Sequence, residues 1–255
     1  MLWHKAWRET RGRFVAGLII LTVVAGAKVY EYTLTQRMMP LAESVVAGAG
    51  NSPLERAIRE AIEMQREFRG FIWFNGFRDI LAQMAVLFAV LLGCGGLMTE
   101  ARKGSALFTL SLPVTRRQLL GARTATGLAQ CFAIAMIPPL AIPLLAPAVG
   151  QQFSIVDALA HGLCLFFVAA LFYSLAAFLS TMFGDFWRPM LIAFVVACIA
   201  ALAQVVAPEF GLFRVMSGEA YFRNGTLPWM GFMTTAVLAS ALLYSAAETL
   251  ERRDF

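Results

Sequence analysis

The residues whose types could do chemistry are few and scattered. The chain has two histidines, His4 and His161, and four cysteines, Cys94, Cys131, Cys164 and Cys198. A zinc site draws three or four ligands from such residues, but no C-x-x-C or H-E-x-x-H spacing occurs. Each cysteine lies in a long apolar stretch, so all four are expected to be small packing residues without disulfides. Covalent catalysis needs a nucleophile beside a base, and no G-x-S-x-G elbow is present. No G-x-x-x-x-G-K-S/T loop is present, so the chain has no phosphate cradle of that kind for ATP. His161 follows Asp157 by one helical turn, the nearest approach to a proton relay. Alanine substitution of Asp157, His161 and Glu248 would test an intramembrane lipid-modifying enzyme, since loss of such an activity with intact assembly would favour it.

The elements that would position these residues are membrane helices. Hydrophobic residues make up 59% of the 255 and charged residues 15%, against about 45–50% and 25% in soluble domains. That balance excludes a disordered chain, a secreted disulfide scaffold and a soluble enzyme. A helix crosses the hydrocarbon core with about 20 mostly apolar residues. Six stretches fit: about Phe14 to Tyr30, Ile80 to Met98, Thr124 to Val149, Ala158 to Phe183, Pro189 to Ala207, and Trp229 to Ala247. The expected fold is an all-α membrane protein of six transmembrane helices forming a single domain over 1–255.

Positive charge orients the spans. Lys5, Arg8, Arg11 and Arg13 precede the first, Arg102, Lys103, Arg116, Arg117 and Arg123 lie between the second and third, and Arg252 and Arg253 follow the sixth. The loop from Gly150 to Asp157 has no Lys or Arg. Both termini are therefore expected in the cytoplasm. The six arginines between spans one and two are matched by seven acids, which removes their orienting weight. The net charge of +5 reflects these flanks, and no basic run with interleaved aromatics indicates a nucleic-acid partner. Ala25-Gly26-Ala27 after an apolar stretch has the form of a leader cleavage site. Span one is read as a retained anchor.

Outside the spans, residues 2–13 are expected to form an interfacial helix, with Trp3 and Trp7 on one face and Arg8 and Arg11 elsewhere. Residues 31–79 form an external segment with a helix opened by Ser52-Pro53-Leu54-Glu55 and stopped near Gly70. Pro138, Pro139, Pro143 and Pro147 are expected to kink or break span three. Gly93, Gly95 and Gly96 permit close helix approach in span two. The span centres carry essentially no charge, whereas an ion-coupled transporter keeps ionisable groups there. Such a chain must borrow its energy from a partner or do no work.

The stretch after span two runs Glu100-Ala-Arg-Lys103-Gly104, then Leu110-Ser111-Leu112-Pro113-Val114-Thr115-Arg116-Arg117. Pro113 ends one helical pattern and Thr115 can cap the next. Arg116 and Arg117 are also placed to meet lipid phosphates. This stretch resembles that of the ABC-2 type permeases, the membrane subunits of ATP-binding-cassette exporters. Trp7-Arg8-Glu9 is similar to the family's opening and Glu251-Arg252-Arg253-Asp254-Phe255 to its charged ending. The resemblance implies a permease in a bacterial plasma membrane, not itself an enzyme. It implies that residues 99–119 form a coupling loop that docks an ATPase subunit, two copies of which bind ATP and Mg. A second permease chain and membrane lipid are the other implied partners. A lipid-modifying enzyme and a non-transporting scaffold or sensor are the alternatives.

Overall fold

The structure is a computed structural model that describes residues 2–47, 53–95, 115–206 and 211–252. Among them there is no strand. The helices are α1 (Leu2–Ala47), α2 (Pro53–Arg66), α3 (Phe68–Ile72), a π-helical segment (Trp73–Ile80), α4 (Leu81–Gly93), α5 (Arg116–Leu145), α6 (Ile155–Met182), α7 (Trp187–Val206), α8 (Leu212–Ser217), α9 (Glu219–Asn224) and α10 (Trp229–Glu251). Six helical runs are long and apolar enough to cross a membrane: Leu2–Pro40, Phe68–Gly93, Arg117–Val149, Ile155–Met182, Trp187–Gln204 and Trp229–Glu251. The described residues are thus helical apart from short connections, with the make-up of a multi-pass membrane protein.

Local sequence sets several helix starts. Ser154 Oγ accepts from the Val156 amide at 3.2 Å, and Asp157 in the first turn of α6 complements the helix dipole. Spans two and four form the enclosed centre of the bundle and span five its least covered member. Trp73, Tyr173, Phe71, Phe77, Phe172 and Phe232 are the largest fully buried side chains. Glu9 pairs with Arg123, and Arg117 pairs with Glu251. Those pairs, with the bonds from Arg13 to the Leu91 and Cys94 carbonyls, gather the start of α1, the end of α4, the start of α5 and the end of α10 at one end of the bundle, here called basal. The end of α1, α2 and α8–α9 occupy the opposite, distal end.

Four expectations are corrected in whole or in part. No break separates residues 2–13 from span one, because helix α1 is continuous from Leu2. Span two begins at Phe68 rather than Ile80, because Phe68, Phe71, Ile72, Trp73 and Phe77 are buried while Arg69, Arg78 and Asp79 lie outward. Helix α5 runs through Pro138, Pro139 and Pro143 without a break, and the expected break falls at Pro147, where Ala146–Val149 form a 3-10 turn. Proline costs a helix one hydrogen bond, which membrane bundles tolerate when neighbours support the freed groups. The amphipathic helix ends at Arg66, not at Gly70, with Glu67 extended. Gly70 instead lies where any Cβ would overlap the Met64 carbonyl oxygen. Tyr32 Oη donates to the Arg66 carbonyl at 3.0 Å, tying α1 to the end of α2.

Candidate docking site at the basal end

The basal end is built around two arginines. Span two ends at Gly93, and Cys94 turns extended before Gly95 at φ +90°, a left-handed value that favours glycine. Ending a helix leaves its last carbonyls without partners. Arg13 Nη1 reaches across from α1 and donates to Leu91 O at 2.7 Å and Cys94 O at 2.8 Å. A guanidinium there also complements the negative end of the dipole. The same group lies 4.9 Å over the Phe186 ring, in the connection between spans four and five. Arg123 of α5 donates to the Gly95 carbonyl and pairs with Glu9 at 3.3 Å. Tyr173 Oη of α6 donates to the Arg123 carbonyl at 3.4 Å.

The other side of the connection is fixed as well. Thr115 Oγ1 accepts from the Gln118 amide at 3.3 Å, and the Thr115 amide donates to Gln118 Oε1 at 3.2 Å. This reciprocal box closes the start of α5. Arg117 Nη2 donates to Glu251 Oε2 at 2.7 Å, joining α5 to the end of α10. Leu120, Ala246 and Leu250 pack below that pair. An open groove of about 440 Å³ runs beside it, lined by Arg117, Leu120, Gly121, Thr124, Tyr244 and Glu248 among others.

The expected docking residues divide accordingly. Glu100, Lys103, Gly104, Leu110, Ser111, Leu112, Pro113 and Val114 lie outside the described residues, as do the 96–114 segment as a whole and the side chain of Arg116. Thr115 is the cap and Arg117 the exposed ion-pair partner described above. Trp3, Trp7, Arg8 and Arg11 are exposed on the first turns of α1, with Trp7 against Phe14 at 5.3 Å between ring centroids. Arg13, Arg123, Glu9 and Glu251 are the residues sequence reasoning missed as a group. They were legible only as charges at the ends of spans.

The residues with catalytic potential do not meet. Glu248 pairs with Arg252 at the basal end, whereas Asp157 and His161 lie at the distal end. Asp157 binds Arg69 Nε at 2.9 Å and accepts from Tyr221 Oη at 2.8 Å. Burial, and then that bond to a carboxylate, raise the Tyr221 phenol above the usual tyrosine range, so it remains a donor. His161 Nδ1 lies 3.0 Å from the Ser217 carbonyl, which also accepts from Trp73 Nε1 at 3.0 Å. These bonds hold α8 and α9 against spans two and four. Among the described residues no three His, Cys, Asp or Glu side chains gather as metal ligands. Cys94, Cys131, Cys164 and Cys198 are free thiols. Asp157→Ala removes the anchor of both Arg69 and Tyr221. It is expected to speed limited proteolysis within 211–228 severalfold while leaving the basal end protected, as read by mass spectrometry of the fragments.

Comparison with protein-family models, curated proteins and solved structures finds no match for the chain.

Proposed function

We propose that this chain is the membrane-spanning permease subunit of an ABC-2 type exporter in a bacterial plasma membrane, with its basal end in the cytoplasm. In this reading residues 99–119 form the docking loop, a pair of separate ATPase subunits bind ATP and Mg, and a second permease chain completes the pathway. The chain itself carries out no hydrolysis. The observation that carries the reading is the basal framework. Arg13 and Arg123 hold one base of the connection, while the Thr115 box and the Arg117–Glu251 pair hold the other. A loop that transmits a push needs stiff mounts on several helices, and these mounts engage α1, α4, α5 and α10. The Glu100-to-Arg117 motif lies between or on those mounts.

In the full chain, Gly104→Glu and Glu100→Arg are each expected to abolish co-purification of an ATPase bearing a G-x-x-x-x-G-K-S/T loop in mild detergent. The permease elution profile should be unchanged. Undiminished co-purification in both variants would overturn the docking assignment. Reproducible absence of such an ATPase from the wild-type pull-down would overturn the permease reading itself.

A further inference from the structure

The groove between spans three and six changes in chemistry along its length. Its lining comes from α5 and α10. The Arg117–Glu251 pair sets the two helices in register at the rim. Counting seven residues inward from each partner brings Thr124 and Tyr244 to one level, about 10 Å deeper at 1.5 Å per residue. Both line the groove, so two hydroxyls stand at that level. Arg123 is the last charged residue before the long apolar run of α5 and marks the basal edge of the hydrocarbon core. The rim pair then lies about 9 Å outside that edge, Glu248 about 4.5 Å outside it, and Leu128 about 7.5 Å inside. Lipid headgroups occupy about 5–7 Å beyond the core on each side. The groove thus runs from charged groups at headgroup level, through hydroxyls at the edge, to Ala125, Leu128 and Leu243 in the apolar region. That is the polarity profile of a phospholipid. Gly121 keeps the passage open, since a Cβ there would meet nothing within 4 Å.

The rim also selects a headgroup. Among the described residues its charge is balanced, Arg117 pairing with Glu251 and Arg252 with Glu248. A balanced rim lacks the basic excess that gathers anionic lipid. It complements a headgroup that carries both signs. The pair with Glu251 engages Arg117 Nε and Nη2, and a guanidinium has five donors, so donors remain for a phosphate. We propose that this groove binds one ethanolamine phospholipid of the basal leaflet. Its phosphate accepts from Arg117 and its ammonium donates to Glu248. The Thr124 and Tyr244 hydroxyls donate to its ester carbonyls. The glycerol passes over Gly121, and one acyl chain runs by Ala125 toward Leu128. The inference rests on the groove and not on the permease reading, so it is tested on the chain without ATPase.

The test is photo-cross-linking of the full chain in mild detergent with phosphatidylethanolamine bearing a diazirine in one acyl chain. The adducts are mapped by mass spectrometry of the peptides. They should concentrate around Leu128 and Leu243 and be sparse on the exposed face of span five, at Leu191, Val195 and Leu202. Unlabelled phosphatidylethanolamine should compete about tenfold better than phosphatidylglycerol, as one charge-assisted hydrogen bond allows. Gly121→Leu fills the passage and should cut the groove adducts about tenfold while leaving those on span five unchanged. Glu248→Gln should keep the adducts and erase the preference between headgroups. Adducts no denser in the groove than on span five would mean bulk lipid only and overturn the site. So would groove adducts undiminished in a monodisperse Gly121→Leu protein. Equal or better competition by phosphatidylglycerol in the wild type, or a preference that survives Glu248→Gln, would overturn the headgroup assignment.

Discussion

Gly93→Ala is expected to destabilise the bundle by forcing spans two and four apart, and Gly93→Leu to yield no monodisperse protein. A Cβ at Gly93 would lie 2.6 Å from the Tyr173 carbonyl oxygen, 2.8 Å from Ala176 Cβ and 3.1 Å from the Ala177 amide nitrogen. Two of those atoms are backbone, so relief requires spans two and four to separate. They are the most enclosed spans in the molecule, so the separation propagates. Overpacking of a well-filled core costs about 1–3 kcal/mol, and rigid backbone neighbours put this site at the upper end. Gly121→Ala is the matched control, because its Cβ would meet nothing within 4 Å. Helix propensity then favours alanine by about 1 kcal/mol. Thermal unfolding followed by size-exclusion fluorescence should show Gly93→Ala lowered and Gly121→Ala level or raised. Equal behaviour of the two would mean that spans two and four do not approach closely at Gly93.

The six spans were legible because bilayer thickness dictates a 20-residue apolar run, a constraint written directly into composition. What was lost came from charge and from distance. Arg69, Arg78 and Asp79 interrupt the hydropathy of 68–80, which hid the first twelve residues of span two. A π-helical turn shifts the inward face, and a 3.6-residue period does not register that shift. Helices α8 and α9 are six residues each, too short to persist without tertiary support. Gly218 at φ +66° and Gly225 at φ +69° turn the chain, and bonds from Trp73 and His161 to the Ser217 carbonyl hold it. Those partners lie 144 and 56 positions away. At the basal end the charges of Arg13 and Arg123 were visible as flanks. Their targets, carbonyls at the end of another helix, have no signature in side-chain identity.

Arg13→Met should open the turn after span two while leaving the bundle folded. The arginine satisfies Leu91 O and Cys94 O together, and hydrogen bonds from a charged donor contribute about 1.5–3 kcal/mol each. Methionine keeps the apolar stem against the helix but leaves both carbonyls unpaired. Loss of about 3 kcal/mol of local protection corresponds to an opening about a hundredfold more frequent. Cys94 reports it, being fully buried and adjacent to the turn. In a Cys198→Ser background, maleimide labelling of Cys94 should accelerate by about that factor. Arg117→Ala removes an exposed pair with Glu251, an interaction of about 0.2–1 kcal/mol, and should leave Cys94 protected. If residues 99–119 carry force from an ATPase, Arg13→Met should also lower substrate-coupled ATP hydrolysis without preventing ATPase binding, because the mount has softened while the docking residues are intact. Unchanged Cys94 labelling in Arg13→Met would show that the turn is held by other contacts, and the mechanical role assigned to the two arginines would fall with it.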